Sequence, residues 1–206
     1  MALVILAHPD FSRSVANKAV VETLQNSGLN LEIRNLAALY PDYRIDAAAE
    51  QAALLRHNTV VFQYPFYWYN MPAVLKQYFD LVFTYGFAYG TGGDRLRGRN
   101  FVPSFTVGAP ETCYRADGEA HFRVLELCKN LEQTAYFTGM NYIDPFYFHG
   151  TSPVLYTAEE IGARARKCAA GLIRLLKNWA GNLICRPIKP YLIGRQRFGF
   201  NTVIVS

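Results

Sequence analysis

Three stretches of the chain hold residues whose types and spacing suit chemistry. The first is His8-Pro9-Asp10-Phe11-Ser12-Arg13-Ser14-Val15-Ala16-Asn17, a polar turn that runs straight into a helical pattern. The start of a helix offers unpaired backbone N–H groups and the positive end of the helix dipole, a combination that attracts phosphate. Ser14 and Asn17 add side-chain donors, and Arg13 or His8 could add charge. Ordinary capping by serine is the competing reading. Neither GxGxxG nor GxxxxGK[ST] occurs here, so neither a Rossmann dinucleotide turn nor a P-loop is expected.

The second stretch is Tyr64-Pro65-Phe66-Tyr67-Trp68-Tyr69-Asn70-Met71, with five aromatics directly after an apolar strand pattern. Aromatics of this kind often serve as core, and a subunit interface is a further use for them. Clustered at the carboxyl end of a strand between Pro65 and Pro72, they suit a large planar apolar ring, for which a flavin is the natural candidate. The third stretch is Thr106-Val107-Gly108-Ala109-Pro110. Gly108 would let backbone approach a ring closely. Backbone N–H groups there could meet the pyrimidine edge of a flavin, with a plain turn as the alternative. Beyond it, Tyr114 and His121 supply a phenol and an imidazole able to move protons or stabilise charge. His57 and His149 read as structural.

The elements that must position these loops follow from periodicity. Leu3 to Ala7, Thr59 to Gln63 and Phe101 to Val107 are apolar runs without alternation, as strands buried on both faces are, although Pro103 is awkward in a central strand. Leu31, Ile33 and Leu36 suggest a further strand, and Asn141 to Phe148 another. Helical stripes lie between them: Ala16, Val20 and Leu24; Asp46 to Arg56; Val74 to Val82 behind Pro72; Val124 to Ala135; and Thr157 to about Trp179. The alternation predicts an α/β fold with a five-stranded parallel sheet and helices on both faces. A single domain over residues 1–180 is expected, followed by a C-terminal extension, 181–206, that does not fit the alternation.

Composition narrows the partners. Of 206 residues, 51% are hydrophobic and 18% charged, which supports a sizeable core and excludes disorder. The net charge is +5, and Cys185 to Ser206 carries +4 of it through Arg186, Lys189, Arg195 and Arg197, leaving +1 on the body. Nucleic-acid binding is therefore not expected. Cys113, Cys128, Cys168 and Cys185 form no CxxC pair and have no histidine at zinc spacing, so no metal site is predicted and the thiols read as reduced in a cytosolic protein. No signal peptide or membrane span is expected.

In order, LVILAHPD at 3–10, SVANK at 14–18, LYPDYRIDAAAEQAALL at 39–55, FQYPFYWYNMPAVLKQYFDLVF at 62–83, GFAYGTGGDRLRGR at 86–99 and TVGAPETCY at 106–114 resemble the NAD(P)H:quinone oxidoreductases of the flavodoxin-like fold. The resemblance leans toward the bacterial ancillary quinone reductases of glutathione-regulated potassium efflux systems. It implies FMN, with FAD as the other option, held by His8, Ser14, Val15, Ala16, Asn17, Pro65, Phe66, Tyr67, Trp68, Thr106, Val107, Gly108 and Ala109. It implies Tyr114 and His121 near the ring, where NADH or NADPH and a quinone bind in turn. It also implies a homodimer with its sites at the subunit boundary and a cytoplasmic location, with a peripheral place at the inner membrane as a further option. Two other roles are a regulatory subunit that activates a potassium efflux transporter and a one-electron carrier. The basic charge disfavours the carrier. The chain departs from the family at Val107 and Ala109, where Thr and Gly are usual, and at Tyr67, where Gln is usual.

Overall fold

The computed structural model describes residues 1–181. The basic stretch from residue 182 onward, Cys185 and nearly all of the expected extension lie outside the described residues. Fully buried apolar runs form three central strands: β1 (Ala2–Leu6), β3 (Thr59–Pro65) and β4 (Asn100–Thr106). β2 (Leu31–Asn35) is half-buried, as an edge strand is. It ends before Leu36, which lies instead in a one-turn helix, α2 (Leu36–Leu39), and packs into the core from there. All pairings are parallel, in the order β2-β1-β3-β4 and then a fifth row.

That fifth row corrects the expected five strands to six. It is split into β5 (Asn141–Tyr142) and β6 (Phe146–Phe148), both paired with β4. Phe101 faces Tyr142 but Ser104 faces Phe146, so three residues of β4 span four of its partner. The cause is Pro103. Along β4 the Phe101 carbonyl accepts from Ile143 N–H (3.0 Å) and the Val107 N–H donates to the Phe148 carbonyl (3.0 Å). Odd-numbered residues of β4 thus point to the fifth row, and Pro103 has no N–H to offer it. The partner strand breaks and gains one residue opposite the proline, as in a bulge.

Two layers of helix cover the sheet. On one face Leu3, Ile5, Val60, Phe62, Phe101 and Phe105 pack against α3 (Ala47–Leu55), α4 (Ala73–Val82), α5 (Val124–Leu127) and α6 (Lys129–Phe137). On the other, Val4, Val61 and Val102 meet α1 (Val15–Gln25) and α7 (Ala158–Gly181), whose Ile161, Ala165, Ala169, Leu172 and Leu176 form a buried stripe. Side chains cap the starts of α3 and α7. Asp46 accepts from the Ala49 N–H at 3.0 Å, and Thr157 and Glu160 cap each other's backbone N–H groups. The stripe from Val124 to Ala135 is broken at Cys128, giving two helices in place of one.

At the β2 edge, Glu50 is fully buried and held by Arg34 through Nε (2.8 and 2.9 Å) and Nη2 (2.7 Å), and by the Tyr40 hydroxyl (2.7 Å). This group ties β2 to α3. The hydrogen bond to Glu50 pushes the Arg34 pKa up, and burial raises that of Tyr40.

Candidate functional site

The chain leaves β1 toward β2 on one side of the sheet and returns to β3 on the other. The connections that leave the carboxyl ends of β1 and β3 therefore run to opposite faces, and the crevice between them is where open α/β sheets bind ligands. A cavity of about 570 Å³ lies there. It is lined by His8, Asp10, Arg13, Ser14, Val15, Ala16 and Asn17 from the first turn, by Pro65, Phe66 and Tyr67 after β3, and by Thr106 and Gly108 after β4. The three loops singled out in the sequence thus meet at one place.

Each wall has its own chemistry. Ser14 caps α1 by accepting the Asn17 N–H at 3.0 Å. The Val15 and Ala16 N–H groups have no partner among the described residues, leaving two donors at the positive end of α1. The serine thus caps one donor, and the others stay open. Over Gly108 there is open space, since a Cβ built there would meet no atom within 4 Å. The Gly108 and Ala109 N–H groups also lack a partner among the described residues. Open space over a glycine, a wall of Phe66 and Tyr67, and free N–H groups at both ends fit a planar ring that carries a phosphate.

The remaining candidates are distributed around this cavity. Val107 is fully buried in the core, so its side chain faces away from the cavity. Trp68 stands outside the cavity lining, 92% exposed, at the tip of a tight turn. Tyr67 and Asn70 exchange two backbone hydrogen bonds of 2.9 Å, with φ of 47° at Trp68 and 61° at Tyr69 between them. Positive φ at both central residues is the type I′ pattern, usually given to Asn and Gly. Two aromatic residues in it hold local strain on the order of 1–2 kcal/mol each.

Tyr114 packs beside Phe66 (centroids 6.4 Å) and Tyr69 (6.3 Å), next to the aromatic loop. Burial raises its pKa and keeps the phenol protonated at neutral pH. His121 is exposed, with φ 57°, and makes no ring contact with Tyr114. The imidazole that does is His149, at 5.3 Å, with Nδ1 3.3 Å from the Ala109 carbonyl oxygen. Burial lowers the pKa of both His149 and His8, so both rings are neutral at pH 7. With the folded pKa below the unfolded value, the unfolded chain takes up protons first. Stability is then lost as pH falls through about 6.5 toward the folded values. Thermal melting between pH 5 and 7.5 should show this slope, and His149→Asn should flatten it by up to about one proton.

Local sequence missed a fourth wall. After β6 the chain latches onto the Gly108 turn: Gly150 N–H donates to Ala109 O (3.2 Å), and Thr151 and Ser152 N–H to Gly108 O (3.2 Å each). This places Thr151, Ser152 and Pro153, with Ile161 of α7, on the cavity. Nothing in a Thr-Ser-Pro loop signals this; it follows only once the fifth row lies beside β4.

Comparison with known proteins agrees with this fold. The family described as having a flavodoxin-like fold matches residues 1–172. General stress protein 14 of Bacillus subtilis is 38% identical over 167 residues, 81% of this chain and 94% of that protein. An uncharacterized NAD(P)H oxidoreductase of the same organism, YrkL, is 40% identical over 149 residues, 72% of this chain and 85% of that protein. The crystal structure of general stress protein 14 from Treponema denticola in complex with FMN superimposes with a TM-score of 0.77 at 38% identity, covering 84% of this chain and 98% of that one. The chain belongs to the flavodoxin-like NAD(P)H oxidoreductase family.

Proposed function

We propose that this protein is an FMN-dependent NAD(P)H:quinone oxidoreductase that works by a ping-pong route. The observation that carries the reading is the convergence of three turns on one cavity, with unpaired N–H groups at the start of α1 and open space over Gly108. Bound FMN would supply the two-electron chemistry, taking hydride from NAD(P)H and passing the pair to a quinone.

The chain's own residues supply the rest. Val15, Ala16 and Ser14 hold the phosphate, Phe66 and Tyr67 wall the ring, and the Gly108 and Ala109 N–H groups face its polar edge. The half-exposed rings of Tyr67 and Tyr69, with Trp68, offer a flat apolar shelf at the mouth for nicotinamide and quinone in turn. The Tyr114 hydroxyl, kept protonated, donates to a quinone oxygen. The exposure of Trp68 supports a second copy of the chain covering this mouth, and sedimentation of the protein with FMN tests for that dimer. No described helix is long and apolar enough to cross a membrane. The transporter-activating role draws no support from the relatives named above, so the reading stops at the reductase.

Protein mixed with FMN should turn yellow and retain the flavin through desalting. Under anaerobic conditions NADH or NADPH should bleach the visible flavin band, and a quinone should restore it with no NAD(P)H left in solution. A protein that binds neither FMN nor FAD would sink the reading, and a band that only NAD(P)H and quinone together can change would sink the ping-pong order.

A further inference from the structure

Gln63 is a lone polar residue inside the apolar run of β3, and it is fully buried. Its amide heads a row of hydrogen bonds that ends at the cavity. The Ser104 hydroxyl donates to Gln63 Oε1 (2.6 Å), and Gln63 Nε2 donates to Asn17 Oδ1 (2.8 Å). Asn17 Nδ2 then donates to both Ser14 Oγ (3.2 Å) and Thr106 Oγ1 (3.1 Å). Ser14 Oγ also accepts the Asn17 backbone N–H. The two hydroxyl oxygens therefore act as acceptors toward the interior. Their hydrogens have no acceptor among the described residues, and both residues line the cavity.

Such a row is consistent in only two polarities. In the one just described, Ser14 and Thr106 show O–H donors to the cavity. If both amides turn over, Asn17 Oδ1 accepts from the two hydroxyls, which then show only lone pairs outward. The first polarity receives an anion, and the second repels one. We propose that Gln63 is a positioning residue that holds the first polarity, and so presents the Ser14 and Thr106 hydroxyls as donors to a phosphate. The inference rests on the flavin reading, and it deepens it: the row discriminates a phosphorylated flavin from riboflavin, at a residue that never touches the ligand.

The test is Gln63→Glu, which keeps size and shape. In its ionised form the new side chain only accepts, so in titrations at alkaline pH it takes the Ser104 O–H and the Asn17 Nδ2–H and turns the Asn17 amide over. Affinities of the flavin-free protein for FMN and for riboflavin are measured by flavin fluorescence, with thermal melting alongside. FMN should weaken by about 10- to 100-fold, and riboflavin by far less. The added negative charge could repel phosphate directly, and a second background separates that effect. With Ser14→Ala and Thr106→Val in place, Gln63→Glu should leave the FMN-to-riboflavin ratio unchanged, whereas plain repulsion would persist.

A ratio in Gln63→Glu equal to the parent's would overturn the proposal. So would a full-sized effect in the background lacking both hydroxyls. A parent protein that binds neither flavin overturns the flavin reading instead. Should Gln63→Glu fail to melt cooperatively, Ser104→Ala removes the donor that anchors Gln63 Oε1. It should lower the ratio by roughly 3-fold, and an unchanged ratio there counts equally against the row.

Discussion

Gly108→Val should fold like the parent and bind FMN about 10- to 100-fold more weakly. Gly108 does not lie in the left-handed region of backbone space, so a side chain brings no backbone strain. A Cβ there meets no protein atom within 4 Å. The space over it is therefore open in the fold itself. Thermal melting without flavin should be unchanged within about 1 kcal/mol, because the new methyl groups displace only solvent. Fluorescence titration with FMN then reads the steric effect alone. Gly108→Ala should fall between the two. Unaltered affinity in Gly108→Val would move the ring away from the β4 turn and leave that turn a plain connection.

The largest expected loss of stability lies elsewhere, at Arg34. Removing its guanidinium leaves the fully buried Glu50 carboxylate without its positive partner. An uncompensated buried charge costs about 3–5 kcal/mol. For a chain of this size that lowers the melting temperature of Arg34→Met by roughly 10 °C or more. Replacing both partners removes the unpaired charge along with the pair. Arg34→Met with Glu50→Leu should therefore recover most of the loss, less the bond that Tyr40 gives to Glu50. Flavin affinity should not follow the melting temperature, since the pair joins β2 to α3 and does not line the cavity. A single variant within about 1 kcal/mol of the parent would show that water reaches Glu50 once the arginine has gone.

What could be read in advance follows the range of the forces involved. Leu3–Ala7, Thr59–Gln63 and Phe101–Val107 were legible because a strand buried on both faces is apolar on both, with few polar positions to break the run. The capping of α1 by Ser14 is likewise local. The turn at Trp68-Tyr69 was not legible, because the residues that normally mark positive φ are absent and the turn is closed by the backbone bonds between Tyr67 and Asn70. Leu36 read as strand because an apolar side chain fits either element, and only the packing of α2 decides. His149 looked inert in sequence; its place beside Tyr114 depends on β6 lying next to β4. Gln63 gave a usable signal, since a single amide inside an apolar strand must find partners across the sheet. Which partners, and in which polarity, needed the structure.

The break in the fifth row also bears on solubility. A long, even edge strand offers its free backbone groups to any extended segment that drifts against it, and sheets grow by that route. Here the outer edge beyond β4 runs two residues, breaks, and resumes for three. Pro145 sits in the break with no N–H to give, and the register slips there by one. An incoming strand could match only two or three residues before its pairing failed. In a chain that is 51% hydrophobic, the kink that accommodates Pro103 inside the sheet thus also guards this flank against aggregation. Straightening it, by replacing both prolines with β-formers, would trade a more regular sheet for a stickier one.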